Sequence, residues 1–495
     1  MLLILLHSNR FLLTNDEGIL LDPAQKLAAG SRLYVDFFGY MSPGSYWIQA
    51  AVFKLVGVSL WAGRIPVILD FSLQCALVFW LTARLASNRA ALAAVIVFTG
   101  FQIADPTFLT AQHRWDSGTL ALAGISLALR FPTMWGLAGS GALVAAGCWC
   151  TPSIVFVGAA QVLWLCLAAE RRRFLLPFVG GIATVTVMAA GWLAAHGSWT
   201  AFLEQMLWLR RNYTSVNVMP YGSVIGGYAR VLEDAHGLEK FLRAFFLMFL
   251  MTPAILPPVA LLLWGFAFLR KSVPPESRSA ILLLLLTMVA FVLTAFPRAD
   301  VFHLAFVAAI PYVLTAAALA QLLSLRAGAI LAFSVIPIAV LFSLNNITGA
   351  FDVQAVASPV GRVRVSANFA SNLRDLLTVV KPKQTLFVHP YMPIYYFVTQ
   401  GDNPSHYSYL NAGMMTKDDE AKTLAQLQAR PPEWLLYMPL SREEFLRVFP
   451  NAGGASARFD ALETWLEKNY APYEDPPLNL SGYRLWHILK AGEKL

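Results

Sequence analysis

The sequence predicts a polytopic α-helical membrane protein of about 10 to 11 spans, with a large first external loop and a small C-terminal external α/β domain. The chain has 495 residues, of which 57% are hydrophobic and 13% charged. Its mean hydropathy of +0.57 is too high for an ordinary soluble protein. Apolar segments of about 20 residues, the length that a bilayer requires, recur from Trp61 to about Asn345. From Thr348 onward charged residues, proline and glycine return, and no later segment is long and apolar enough to span.

These observations divide the chain into three parts. Residues 1–61 are expected to hold a truncated first helix, since "MLLILL" is too short to span, and an external loop with interfacial helices. Residues 62–347 form the transmembrane helical domain, and residues 348–495 form the external domain. The expected spans are 62–83, 90–104, 117–130, 134–150, 152–169, 174–195, 244–268, 279–296, 303–322 and 328–347.

Basic residues on alternate connections predict the orientation of the spans. They are Arg84, Arg89, Arg130, Arg171, Arg172, Arg173, Arg270, Lys271, Arg278 and Arg326. By the positive-inside rule these connections face the cytoplasm. The protein is therefore expected in the plasma (inner) membrane, with loops 7–61 and 196–243 and the C-terminal domain on the periplasmic or external side. The net charge of +8 thus marks topology and does not indicate nucleic acid binding.

The first external loop contains an unusual concentration of acids in "LLTNDEGILLDPAQKLAAGSRLYVDFF". A helix is expected through "EGILLDPAQKLAAG", ending at Gly30, and acids at its start could simply complement the helix dipole. The following "SPGSYWIQAAVFKLVG" predicts an amphipathic helix in the membrane interface, with Tyr46 and Trp47 at headgroup depth. The acids and this interfacial helix would then share one external face.

A family resemblance extends this interpretation. The stretch "NDEG…LDPAQKLAAGSRLYVDFFGYMSPGSYW…FKLVGVSLWAGRIP" resembles the first external loop of type C glycosyltransferases. Within these it is most similar to the protein O-mannosyltransferases and the related bacterial lipid A sugar transferases, which makes the chain glycosyltransferase family 39-like. The resemblance is densest over residues 14–85 and is supported by "RWDSGTLAL" and "PRADVFHL".

The resemblance implies a sugar donor on a polyprenyl phosphate and a catalytic base at Asp16. Such chemistry suits a carboxylate, because an acceptor hydroxyl that attacks an anomeric carbon must lose a proton. Glu17, Asp116 and Asp36 are candidates to stabilise an oxocarbenium-like transition state, with Tyr46 in support. For Asp116 a helix N-cap is an equally good explanation.

The leaving lipid phosphate requires cations or hydrogen-bond donors near the membrane surface. Arg298 and His303 are the first candidates, followed by Arg64, His113 and Arg114. For Arg298 and His303, snorkelling of helix-end side chains to the interface is the alternative.

Other chemistries lack a signal in the sequence. No phosphate-cradling glycine loop and no convincing metal-ligand spacing occur, so neither a nucleotide-sugar donor, a metal nor a cofactor is predicted. The four cysteines all lie in apolar spans and predict no disulfide framework. Small residues in "GLAGSGALVAAG" predict close helix packing in lipid.

The tail domain alternates strand and helix patterns. "TLFVHP", "EWLLYMP" and "YRLWHILK" predict strands, whereas "DDEAKTLAQLQA", "SREEFLRVF" and "ALETWLEKNY" predict helices. The tyrosine-rich "HPYMPIYYFVTQ", with His389, is expected to pack a small core.

Two other function classes fit a polytopic chain. One is a transporter or flippase of lipid-linked sugars, which is disfavoured because the ionisable residues lie mostly at loop edges on one face. The other is a non-catalytic scaffold of the cell envelope. For the glycosyltransferase hypothesis the sequence leaves open the sugar and the acceptor, which could be a lipid, a glycan or a protein.

Overall fold

The computed structural model describes residues 5–11, 15–224, 230–349, 351–450, 452 and 458–489. The truncated first helix expected at the start of the chain falls mostly outside these residues. The first two thirds of the chain forms helices α1 to α16. Their bounds are α1 Asn15–Ala28, α2 Pro43–Val56, α3 Leu60–Leu85, α4 Asn88–Ala104, α5 His113–Arg130, α6 Met134–Cys150, α7 Val155–Cys166, α8 Ala169–Arg172, α9 Leu175–Ala195, α10 Trp199–Asn217, α11 Gly237–Leu250, α12 Thr252–Leu269, α13 Pro275–Ala295, α14 Val301–Ala305, α15 Ala309–Leu322 and α16 Leu325–Gly349.

The polytopic helical class predicted from hydropathy is confirmed. Within the described residues, five segments are long and apolar enough to cross a membrane, and they contain α3, α8 with α9, α12, α13 and α16. The shorter apolar helices α6, α7 and α15 accompany them. These helices pack side by side, with α6 against α5 and α9, α3 against α4, and α12 against α15.

Two of the predicted spans are wrong in their bounds. The segment 244–268 is interrupted after Leu250, and α12 begins anew at Thr252 with Pro253 in its first turn. Proline has no amide hydrogen and is best accommodated at a helix start, which explains the break. The segment 303–322 likewise divides into α14 and α15.

Close packing of the small residues in α6 is confirmed. A Cβ atom placed on Gly141 would lie 2.0 Å from the carbonyl oxygen of Phe178, and one on Gly181 would lie 1.9 Å from that of Ala138. Both distances are far below van der Waals contact, so α6 and α9 approach each other at a separation that only glycine permits at these two positions.

The two helices predicted in the first loop are present. α1 ends at Ala28, and Gly30 has a φ of 104°, a conformation that favours glycine. α2 packs against α1 and α3. A Cβ on Gly18 would lie 2.1 Å from the backbone nitrogen of Ile394, so α1 also touches the C-terminal part of the chain directly.

That C-terminal part, residues 354–489, is called the C-terminal α/β region below. Its strands are β1 Gln354–Ser358, β2 Gly361–Val365, β3 Leu386–His389, β4 Trp434–Tyr437, β5 Tyr470–Pro472 and β6 Arg484–Ile488. Its helices are α17 Ala367–Val379, α18 Ile394–Thr399, α19 Lys417–Ala429, α20 Arg442–Val448 and α21 Asp460–Asn469. β1 and β2 form a hairpin, and the other four strands form a sheet in the order β3-β4-β6-β5.

All six elements predicted for the tail are confirmed. β3 and β4 pair in parallel, with Leu386 opposite Trp434, whereas β4 and β6 pair antiparallel. The prediction that "HPYMPIYYFVTQ" packs a core is also confirmed, because Tyr395, Tyr396 and Phe397 on α18 are fully buried. The hairpin β1–β2 and helix α17 were not predicted.

Candidate functional site

One large cavity lies between the helices and the C-terminal α/β region. Its volume is about 1870 Å³, which exceeds the roughly 300–1,000 Å³ of typical small-ligand sites. One part is lined by ionisable and aromatic side chains from α1, α5, α10, α14 and the C-terminal α/β region. The other part is apolar and follows α7 from Val155 to Cys166 between α6 and α9, a distance of roughly 17 Å at the helical rise. Below, these are the polar part and the apolar limb of the cavity.

The two acids at the start of α1 point in different directions. Asp16 is exposed and lines the polar part of the cavity. Glu17, the next residue, is turned by about 100° around the helix axis and is completely buried. Adjacent carboxylates thus have opposite environments.

Glu17 forms a buried ion pair with Arg64 of α3. The Arg64 Nη2 atom donates to Glu17 Oε2 at 2.7 Å, its Nε donates to Oε1, and the amide of Ala111 donates to Oε1 at 3.0 Å. Arg64 also donates to the carbonyl oxygens of His7 and Arg10, each at 3.1 Å. Neither Glu17 nor Arg64, predicted to act in catalysis and in phosphate binding, lines the cavity. Their buried ion pair joins α1 to α3.

Arg298 lines the polar part of the cavity and is held on several sides. Its Nε donates to Asp300 Oδ2 and its Nη1 to Asn217 Oδ1, both at 2.9 Å. Its Nη2 donates to the carbonyl oxygen of Val448 at 3.4 Å, and the guanidinium lies 5.1 Å from the ring centre of Phe449. The C-terminal α/β region therefore helps to orient this arginine.

Asp300 joins Arg298 to His303. It is fully buried, caps α14 by accepting from the His303 amide at 2.9 Å, and accepts from His303 Nδ1 at 2.8 Å. Burial alone would raise the pKa of Asp300, but His303 and Arg298 outweigh burial and hold the pKa well below its ordinary value. Asp300 is therefore an anion that fixes two cavity-lining side chains.

His113 and Arg114, in the first turn of α5, also line the cavity. Arg114 is half-buried, and none of the ion pairs or hydrogen bonds found among the described residues involves its guanidinium. Arg210 of α10, which sequence reasoning left out of the site, lines the cavity as well. Asp16 is the only carboxylate among the described lining residues, so the polar part carries an excess of positive charge.

Three other predicted residues do not line the cavity. Asp116 is buried within α5 beside Asp70 and Ser45. Asp36 lies on the surface in an ion pair with Arg32 at 2.8 Å. Tyr46 is fully buried, and its hydroxyl oxygen accepts from the amide of Met41, a lining residue, at 3.2 Å.

The structure places five candidate residues from separate motifs on one cavity: Asp16, His113, Arg114, Arg298 and His303. It adds Asp300 and Asn217 as partners of Arg298. Asp300 lies inside the quoted motif "PRADVFH", and its spacing to His303 could have indicated it. For Asn217 no sequence signal exists, because its contact depends on how α10 meets the α13–α14 connection.

A base beside a cluster of cations can accept a proton at one point while negative charge develops a short distance away. Among the described residues no group of three or more His, Cys, Asp or Glu side chains is placed to hold a metal ion.

Comparisons with known proteins bear on the fold. No family model and no curated protein sequence matches the chain. Among solved structures it is similar to ArnT from Cupriavidus metallidurans bound to undecaprenyl phosphate, with a TM-score of 0.51 and 13% identity over 81% of this chain and 83% of that one. It is also similar to the oligosaccharyltransferase of Archaeoglobus fulgidus, with a TM-score of 0.49 and 11% identity over 88% of this chain and 67% of that one. The first of these likenesses shows that the chain shares the fold of ArnT, in agreement with the resemblance to type C glycosyltransferases noted in the sequence.

Proposed function

We propose that this protein is an integral membrane glycosyltransferase that moves a sugar from a polyprenyl phosphate to an acceptor on the external face of the membrane. The observation that carries the proposal is the continuity of the cavity. The polar part holds a cluster of cations with one carboxylate, and it adjoins the apolar limb between the helices. A lipid-linked sugar phosphate has the matching arrangement, because its charged phosphate is attached directly to a long apolar chain. The basic connections at the opposite ends of the spans support the external orientation.

The polar part suits the reaction in two ways. Asp16 accepts the proton of the acceptor hydroxyl as its oxygen bonds to the anomeric carbon of the sugar. The bond from that carbon to the phosphate oxygen breaks, and the polyprenyl phosphate leaves with its electron pair. Arg298 and Arg114 stabilise the negative charge on the departing phosphate, together with His303 when both of its ring nitrogens are protonated.

The apolar limb suits the lipid chain. Val155, Ala159, Val162 and Cys166 succeed one another along α7 on the cavity side. The polyprenyl chain already lies in hydrocarbon in the bilayer, so the limb binds it through van der Waals contacts and not through removal from water. The limb therefore provides binding energy that is independent of the sugar.

The direct test is sugar transfer by the purified protein in liposomes. Polyprenyl phosphates carrying labelled mannose, glucose or arabinose are supplied together with lipid, glycan and peptide acceptors. We expect protein-dependent release of sugar from at least one donor. Absence of transfer from every donor, with correctly folded protein, would refute the proposal.

We expect Asp300→Asn to weaken binding of undecaprenyl phosphate by about tenfold, because an amide has one acceptor oxygen in place of two and cannot hold both Arg298 and His303 toward the cavity. The measurement is a binding isotherm in detergent. Asp352→Asn, at an exposed position outside the cavity, is the control and should bind normally. An unchanged isotherm for Asp300→Asn would exclude this role.

Native cysteines allow a test of the apolar limb. Cys148 and Cys166 line the cavity, whereas Cys75, which is also half-buried, does not. Bound undecaprenyl phosphate should slow maleimide labelling of Cys148 and Cys166 severalfold, because the chain covers both thiols, and leave Cys75 unaffected. Mass spectrometry of labelled peptides provides the rates. Equal rates with and without lipid would place the chain elsewhere.

A further inference from the structure

Three tyrosines from distant parts of the chain meet at one corner of the cavity. Tyr40 precedes α2, Tyr213 lies on α10, and Tyr409 belongs to the C-terminal α/β region between α18 and α19. The ring of Tyr40 lies 5.1 Å from that of Tyr409 and 6.3 Å from that of Tyr213, between ring centres. All three line the cavity.

The tyrosines surround the charged groups to which the reaction is assigned. The phenol groups of all three lie close enough to Asp16 and Arg298 to interact electrostatically with both. A transferred sugar must place its anomeric carbon between the base and the cations that hold the phosphate. The sugar ring therefore occupies the space that the three tyrosines border.

The hydroxyl groups retain hydrogen-bonding capacity for a ligand. None of the hydrogen bonds within the described part of the chain involves the Tyr213 hydroxyl. The Tyr409 hydroxyl oxygen accepts from Asn411 Nδ2 at 3.3 Å, which leaves its own hydrogen available to donate. Among the residues that the structure describes, the Tyr40 hydroxyl makes one weak contact, 3.8 Å from the sulfur of Met414.

The charges of the cavity restrict the class of sugar. Asp16 is the only carboxylate among the described lining residues, and the base function requires it. A positively charged amino sugar would meet Arg114, Arg210 and Arg298 without a second carboxylate to pair with. Uncharged hydroxyl groups, in contrast, match phenol donors and acceptors and apolar ring faces.

We infer that Tyr40, Tyr213 and Tyr409 form the subsite for the transferred sugar, that this sugar is neutral, and that the C-terminal α/β region thereby supplies part of the active site. This inference rests on the proposed function. It assigns specificity to Tyr213 and Tyr409, which lie outside the recognised motifs, and to Tyr40, which lies within the family-like stretch but had no predicted role.

The test compares donors and tyrosine variants in the liposome assay. Wild-type protein is given polyprenyl phosphates that carry mannose, glucose, arabinose or 4-amino-4-deoxyarabinose. We expect kcat/KM for the best neutral sugar to exceed that for the amino sugar at least tenfold.

Each of Tyr213→Phe and Tyr409→Phe should reduce kcat/KM for that neutral donor about tenfold, because each loses one hydrogen bond to a neutral partner. Donors that lack a single sugar hydroxyl should identify which hydroxyl each tyrosine binds. The phenylalanine variant at that tyrosine should transfer the deoxy sugar and the complete sugar equally well, because the hydrogen bond between the two hydroxyls is already lost.

Tyr473→Phe is the matched control, since Tyr473 lies in the C-terminal α/β region against Trp434 and does not line the cavity. It should retain wild-type kinetics. If Tyr213→Phe and Tyr409→Phe also retained wild-type kinetics and selectivity while wild-type protein transferred sugar, the subsite would be refuted and the proposed function would stand. Preference for the amino sugar would refute the charge argument, and absence of transfer from every donor would refute both proposals.

Discussion

Asp16→Asn is expected to reduce sugar transfer by at least a hundredfold, because an amide cannot accept the proton of the acceptor hydroxyl. General base catalysis contributes about 10²–10⁴ to enzymatic rates. Asp16 is exposed to the cavity and asparagine has nearly the same shape, so the protein should fold and bind undecaprenyl phosphate normally. The measurement is the initial rate of sugar release in liposomes at saturating donor.

The control for this prediction is Asp418→Asn. Asp418 is also an exposed acid in the first turn of a helix, α19, but it does not line the cavity. Its replacement should leave transfer unchanged. Transfer by Asp16→Asn at the wild-type rate would remove Asp16 from catalysis and leave the cavity without a carboxylate base among its described lining residues.

Arg64→Met is expected to destabilise the protein severely, because it leaves the Glu17 carboxylate buried without its cation. Removal of one member of a buried ion pair costs about 3–5 kcal/mol. The expected result is a large fall in the melting temperature in detergent and a low yield of monodisperse protein. The double variant Glu17→Gln/Arg64→Met should lose less than the sum of the two single losses, because no charge then remains buried.

Arg32→Met provides the comparison for this second prediction. Arg32 pairs with Asp36 on the surface, where both side chains are more than a third exposed. Such pairs contribute only about 0–1 kcal/mol, so the melting temperature should change little. If Arg64→Met were stable but did not bind undecaprenyl phosphate, the destabilisation prediction would be wrong. Arg64 would then have the phosphate-binding role that the sequence predicted.

Much of the architecture could be predicted because its signals are local. A span is recognised by the hydropathy of about 20 consecutive residues, and the strands β3, β4 and β6 by short apolar runs. The errors arose where local patterns are ambiguous. The apolar run 244–268 concealed a break before Pro253, and the hairpin β1–β2 has too few buried residues to be recognised.

The sequence by itself determined the membrane class of this protein, the order of its helices, and a set of ionisable residues that includes Asp16, Arg298 and His303. Only the tertiary structure decided which of these residues meet at the cavity. Asp16 and Glu17 are neighbours in sequence, yet one lines the cavity and the other is buried with Arg64. The physical reason is that the environment of a side chain depends on which helix packs against its face. Those contacts join residues far apart in the chain, as Tyr40 and Tyr409 are, and no local pattern encodes them.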